Sequence, residues 1–163
     1  MAYLKKEQYE YRREAAARRA SANEKVAVEH GMTEEQAELI SRLCTLRHDL
    51  HTNIDKTVIC NSECGHGILP DLVKLGNEII ESGLQKVSCI PEDYFEIDDI
   101  DTLQECEEWP ESGTREWQDK YDDEYYRIYG ELEQLNKDIE KYLSDIDKQY
   151  GTHWCPTGAL RVM

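Results

Sequence analysis

Residues 114–150 contain no proline and a single glycine, Gly130, while apolar side chains return at every third or fourth position. The series is Trp117, Tyr121, Tyr125, Ile128, Leu132, Leu135, Ile139, Tyr142, Ile146 and Tyr150. Over 121–146 the spacing alternates four and three, which predicts a helix with a coiled-coil-like seam. The length of this helix constrains the rest of the fold. At ~1.5 Å per residue, a helix over 114–150 spans roughly 55 Å. A compact domain of 163 residues is only about 40 Å across. The helix must therefore project, bend at Gly130, or lie along another long helix.

Residues 3–29 supply one such partner. Strong helix formers dominate there and no Gly or Pro interrupts them. The apolar positions are mostly alanine, which packs closely but buries little area. This first helix is the expected intramolecular partner of the long one. A second copy of the chain, docked through the 121–146 seam, is the alternative, so a monomer and a homodimer both stay open. The basic pairs Lys5-Lys6, Arg12-Arg13 and Arg18-Arg19 interleave with Glu7, Glu10 and Glu14. That is the pattern of i,i+4 ion pairs on a solvated helix, not of a nucleic-acid contact.

Between these two helices, Gly31 closes the first and Thr33 with Gln36 forms a capping box for the next. The second helix is expected over 34–58, with Leu39, Ile40, Leu43, Leu46, Leu50, Ile54 and Val58 as its stripe. Cys44, His48, His51 and Asp55 line one border of the stripe, a polar border in which Arg47 and Asp55 are expected to pair across a helical interface. Pro70 opens a short third helix that runs to Glu81 and closes at Gly83. One short strand is expected over 86–90 and a brief helix near 101–108, followed by a break at Pro110 and Gly113. A tail from Gly151 is held by Trp154. The fold class is thus all-α, with four or five helices, the long C-terminal one packed on the N-terminal ones, and at most one short hairpin. One domain is expected, divided as 1–31, 33–90, 92–113, 114–150 and 151–163.

Charge is distributed unevenly. Residues 92–147 hold 21 Asp and Glu against five Lys and Arg, which accounts for the entire net charge of −16. Hydrophobic residues make up 39% of the chain, below the usual ~45–50%, so a thin core is expected. Ten Tyr against one Phe suits surfaces that are half apolar and half wet. No run approaches the ~20 apolar residues of a membrane span, and residues 1–6 begin no signal peptide. The cytoplasm is the expected location, with the six cysteines reduced.

Few residues suggest chemistry. Cys60, Cys64 and His66 offer three of zinc's four ligands, with Cys44, His48, His51, His153 or Cys155 as a fourth. The second half-site of a zinc fold is missing, and two small core-facing cysteines beside a surface histidine are the plainer reading. No cofactor is expected apart from that zinc option. His48 and His51 share a helix face, but without the H-E-x-x-H pattern. A calcium loop starting at Asp99 fails at Leu103, Gln104 and Pro110. There is no P-loop, dinucleotide fingerprint or nucleophile elbow. A non-enzymatic binding protein is the expectation.

Carboxylates are what remain. Asp98, Asp99, Asp101, Glu105, Glu107, Glu108 and Glu111 lead into Asp119, Asp122 and Asp123. Acids three and four apart on a helix sit ~5–6 Å from one another, and such a row can imitate the phosphates of a nucleic acid. It would enter a basic channel with fast, salt-sensitive association; the alternative is an ordinary solvated face. In composition, residues 92–147 resemble small acidic phage and mobile-element accessory proteins, including DNA-mimicking anti-restriction and anti-CRISPR inhibitors. That resemblance implies a basic surface on a nucleic-acid-processing enzyme as partner, such as a Cas9-like or Cas12-like nuclease blocked at DNA binding or cleavage. It implies no direct contact with nucleic acid or membrane, and action in the host cytoplasm.

Overall fold

A computed structural model describes residues 6–60, 68–84 and 98–155, and no strand occurs among them. Six helices form: α1 (Lys6–Glu29), α2 (Glu34–Thr52), α3 (Ile54–Ile59), α4 (Ile68–Glu81), α5 (Ile100–Cys106) and α6 (Arg115–Tyr150). The all-α class and the long C-terminal helix packed on N-terminal ones are as expected. The strand expected over 86–90 lies outside the described residues.

Local chemistry sets the helix ends. Gly31 adopts φ 110°, a left-handed turn that L side chains rarely tolerate. Thr33 then caps α2. Its hydroxyl accepts from Gln36 N at 3.1 Å, and its own N–H donates to Gln36 Oε1 at 2.9 Å. Gln36 Nε2 also donates to Ser82 O at 2.8 Å, tying the start of α2 to the end of α4. The single helix expected over 34–58 is broken at Asn53. There both the backbone N–H and the side-chain amide donate to Asp49 O, at 2.9 and 3.0 Å. An Asn side chain that competes for backbone partners interrupts helix propagation. This break splits one expected helix in two and brings the described helices to six rather than four or five.

α2 lies against α1, α4 and α6, and α3 against α6 and α5. Arg47 of α2 reaches Glu140 at 2.9 Å, while Asp55 of α3 reaches Tyr125. Positions rise along α2 and α3 as they fall along α6, so the two runs are antiparallel. Leu43, Leu50, Leu132, Leu135 and Ile139 of α2 and α6 are fully buried, as are Leu72, Leu75 and Ile79 of α4. The partner of the long helix is therefore the α2–α3 run, not α1 as the sequence suggested. Among its described side chains α1 buries only Ala27, whereas α2 offers leucines, each worth about 1.5–3 kcal/mol on burial. Arg47 and Asp55 both pair across a helical interface, to Glu140 and Tyr125 of α6.

α6 runs unbroken through Gly130, which is exposed; a Cβ built there would meet nothing within 4 Å. Gly130→Ala is expected to stabilise the protein by about 0.5–1 kcal/mol, read as a higher urea midpoint with unchanged slope. A loss of stability instead would show that α6 needs a glycine's freedom at this position.

Candidate functional site

The long helix divides into two halves by burial. From Ile128 to Ile146 its seam is covered within the chain, so that stretch is not open to a second copy. Toward the N-terminus the covering recedes. Trp117, Tyr121 and Tyr125 are half-buried, and Tyr126 is 71% exposed.

α5 and the joint to α6 sit beside this uncovered end. Trp109 Nε1 donates to Leu103 O at 3.1 Å, which fixes its indole at the end of α5. Lys120 pairs with Glu107 at 3.2 Å and places its ammonium 5.1 Å from the centre of the Trp109 ring. From Trp109 a ladder of rings continues along α6. Trp117 lies 6.3 Å away and Tyr121 stacks on Trp117 at 5.3 Å. Tyr125 stacks on Tyr121 at 6.3 Å and Tyr129 on Tyr125 at 6.1 Å. Tyr126 stands at 85° to Tyr125, 5.5 Å away.

The acids single out the same end. Asp98, Glu105, Glu108, Glu111, Asp119, Asp122 and Asp123 are exposed. Of these, Glu105, Glu108, Glu111, Asp119 and Asp123 form no ion pair with a described residue, and Asp122 accepts only from Gln118, at 2.9 Å. Asp101 is half-buried. Asp99 departs from expectation. It is 2% exposed and caps α5 by accepting from Thr102 N at 2.7 Å, so it is structural and cannot face a partner. Farther along α6, part of the charge is compensated, although Glu133 and Asp145 are also exposed without an ion pair to a described residue. Arg127 bridges Glu124 at 2.8 Å and Glu131 at 3.4 Å, and Glu140 is held by Arg47. Most of the uncompensated acid of 92–147 thus gathers, among the described residues, over α5 and the first turns of α6.

Of the candidate metal ligands, Cys64 and His66 lie outside the described residues, and Cys60 is half-buried. Among the described residues no three His, Cys, Asp or Glu side chains converge as a metal site would require. Of the possible fourth ligands, Cys44 donates to Trp154 O at 3.3 Å. Burial pushes the Cys44 and Cys155 thiols up, which disfavours the thiolate that metal binding and nucleophilic attack need. His48 meets Thr52 at 3.5 Å, and His51 is exposed. A cleft of about 470 Å³ between α1, α2 and α4 is lined by charges of both signs, including Glu24, Glu38, Arg42 and Lys74.

Tyr125 links the aromatic end to the body. Its hydroxyl donates to Asp55 Oδ1 at 2.5 Å, and this bond, with burial, pushes its pKa from 10.0 up to about 12. The folded chain therefore holds this proton longer than the unfolded chain. The stabilising contribution is complete below pH 10.0 and is lost as pH rises to about 12. Solvent contact keeps it small. Stability curves of the protein and of Tyr125→Phe are expected to converge across that window. A constant gap would show that the hydroxyl carries no proton-linked stability.

No family model matches the chain, and no curated protein or solved structure matches it significantly. The ladder was only partly visible in the sequence. The seam of alternating fours and threes turned at Ile128, whereas Trp117, Tyr121, Tyr125 and Tyr129 keep a strict step of four. A strict step of four drifts around the helix, away from the core stripe, and that drift was the available signal.

Proposed function

We propose that this chain is a non-enzymatic binding protein. Its acidic end, formed by α5 and the first turns of α6, docks in the basic nucleic-acid site of a nucleic-acid-processing enzyme and excludes the nucleic acid. This is the mode of action of DNA-mimicking anti-restriction and anti-CRISPR inhibitors. One observation carries the reading. Glu105, Glu108, Glu111, Asp119 and Asp123 are exposed without ion-pair partners among the described residues, although Lys120 and Arg127 of α6 neutralise Glu107, Glu124 and Glu131, and Arg47 of α2 neutralises Glu140. Crowded carboxylates repel one another and add nothing to the stability of an isolated helix. A basic partner relieves that repulsion, and their field speeds its approach by a factor of about 10–10³.

The test pairs capture with activity. The protein and a variant carrying Glu105→Lys, Glu108→Lys, Glu111→Lys, Asp119→Lys and Asp123→Lys are each used to capture partners at low and at high salt. The expected result is a nucleic-acid-binding enzyme held by the unchanged protein at low salt, released at high salt and absent from the variant. Its activity on DNA should fall when the unchanged protein is added. Equal capture by the folded variant rejects the reading.

A further inference from the structure

Carboxylates alone do not distinguish one cation from another, but the rings beside them do. Tyr126 is 71% exposed, far more than a tyrosine needs to keep its hydroxyl wet. Asp122 and Asp123 precede it by four and three residues, so on a helix both carboxylates lie one turn from its ring. Asp123 has no ion pair with a described residue, and Asp122 is bound only by the neutral amide of Gln118. The nearest arginine, Arg127, is already committed to Glu124 and Glu131. Behind Tyr126 the stacked row of Tyr125, Tyr121 and Trp117 continues toward Trp109. One rung of this row already carries a cation, since Lys120 lies over the Trp109 ring at 5.1 Å.

We propose that the ladder from Trp117 to Tyr126, rimmed by Asp122 and Asp123, is an arginine-binding strip: guanidinium groups of a basic partner segment stack on its rings and pair with those two carboxylates. This rests on the docking reading above and names the partner's side chain. Arginine fits for physical reasons. Its guanidinium is planar and weakly hydrated, so it lies flat on a ring while its N–H groups fork onto a carboxylate. The lysine ammonium is a compact charge that keeps its water, and it gains less from a ring face. A nucleic acid does not fit. Its bases would stack equally well, but its phosphates would meet the same carboxylates.

Two peptides of equal charge, octa-arginine and octa-lysine, serve as probes, titrated by calorimetry and by tryptophan fluorescence. Trp109 and Trp117 report on the ladder, whereas Trp154 is 6% exposed in the tail. Octa-arginine is expected to bind about tenfold more tightly than octa-lysine. Tyr126→Ala, a surface change that leaves the core intact, is expected to lower that ratio several-fold, and Trp117→Leu to lower it further. Tyr126→Phe keeps the ring and should keep the ratio. Should Trp117→Leu lose its helical signal, Tyr126→Ala against Tyr126→Phe decides the matter alone. Equal affinity for the two peptides, or a ratio that survives Tyr126→Ala, overturns the arginine strip while the docking reading stands. Binding of neither peptide overturns both.

Discussion

Leu132→Ala is expected to lower the unfolding free energy by about 2–5 kcal/mol, because a fully buried leucine loses its transfer energy and leaves a cavity. Leu132 is 0% exposed and sits in the middle of the α6 seam with Ile128, Leu135 and Ile139, all buried. The seam faces α2 and α3. Domains of this size are stable by only ~5–15 kcal/mol, so the loss is a large share of the whole. Urea titration should show a lower midpoint with unchanged slope. The shift should also be independent of protein concentration, because the partner of Leu132 lies in the same chain. A midpoint that rises with concentration would mean that the seam is completed by a second copy.

Asp147→Ala is expected to cost about 2–4 kcal/mol, although aspartate is ordinarily a surface residue. Its Oδ1 accepts from the Thr152 hydroxyl at 2.6 Å and from Trp154 N at 2.9 Å, and its Oδ2 accepts from Cys155 N at 2.7 Å. Thr152 and Trp154 are 2% and 6% exposed, so removing the carboxylate leaves their donors buried and unpaired. The turn also fastens α2, through Trp154 Nε1 to Ser41 Oγ at 3.1 Å and through Cys44 to Trp154 O. Freed from Asp147, the turn should expose Trp154 and the two thiols. A red-shifted tryptophan emission and faster thiol labelling should accompany the lower melting temperature. Asp147→Asn, which keeps one acceptor oxygen, should fall between the two. A variant as stable as the unchanged protein would show that the tail contributes nothing to the fold.

Asp147 also marks where reading the sequence fell short. Nothing in the spacing of acids along the long helix separates it from Glu140, yet one caps a buried turn and the other holds Arg47. Asp99, expected on the partner-facing surface, is a buried cap. A carboxylate's letter is the same in each of these roles. Whether it meets solvent, a cation or a row of N–H groups depends on chain segments distant in sequence.

What could be read directly was set by interactions that close within one turn. The capping box of Thr33 and Gln36, the left-handed glycine at Gly31, the length of α6 and its apolar seam all follow from contacts between residues three or four apart. Net charge survives folding unchanged, so the acid block was visible too. The partner of α6 was not, because both α1 and α2 are long helices and only their packing against the seam separates them. The same holds for the gathering of unpaired acids beside the aromatic ladder. Arg47, Lys120 and Arg127 neutralise some carboxylates and leave others bare, and which ones they reach depends on how distant helices pack, where one-dimensional periodicity carries no information.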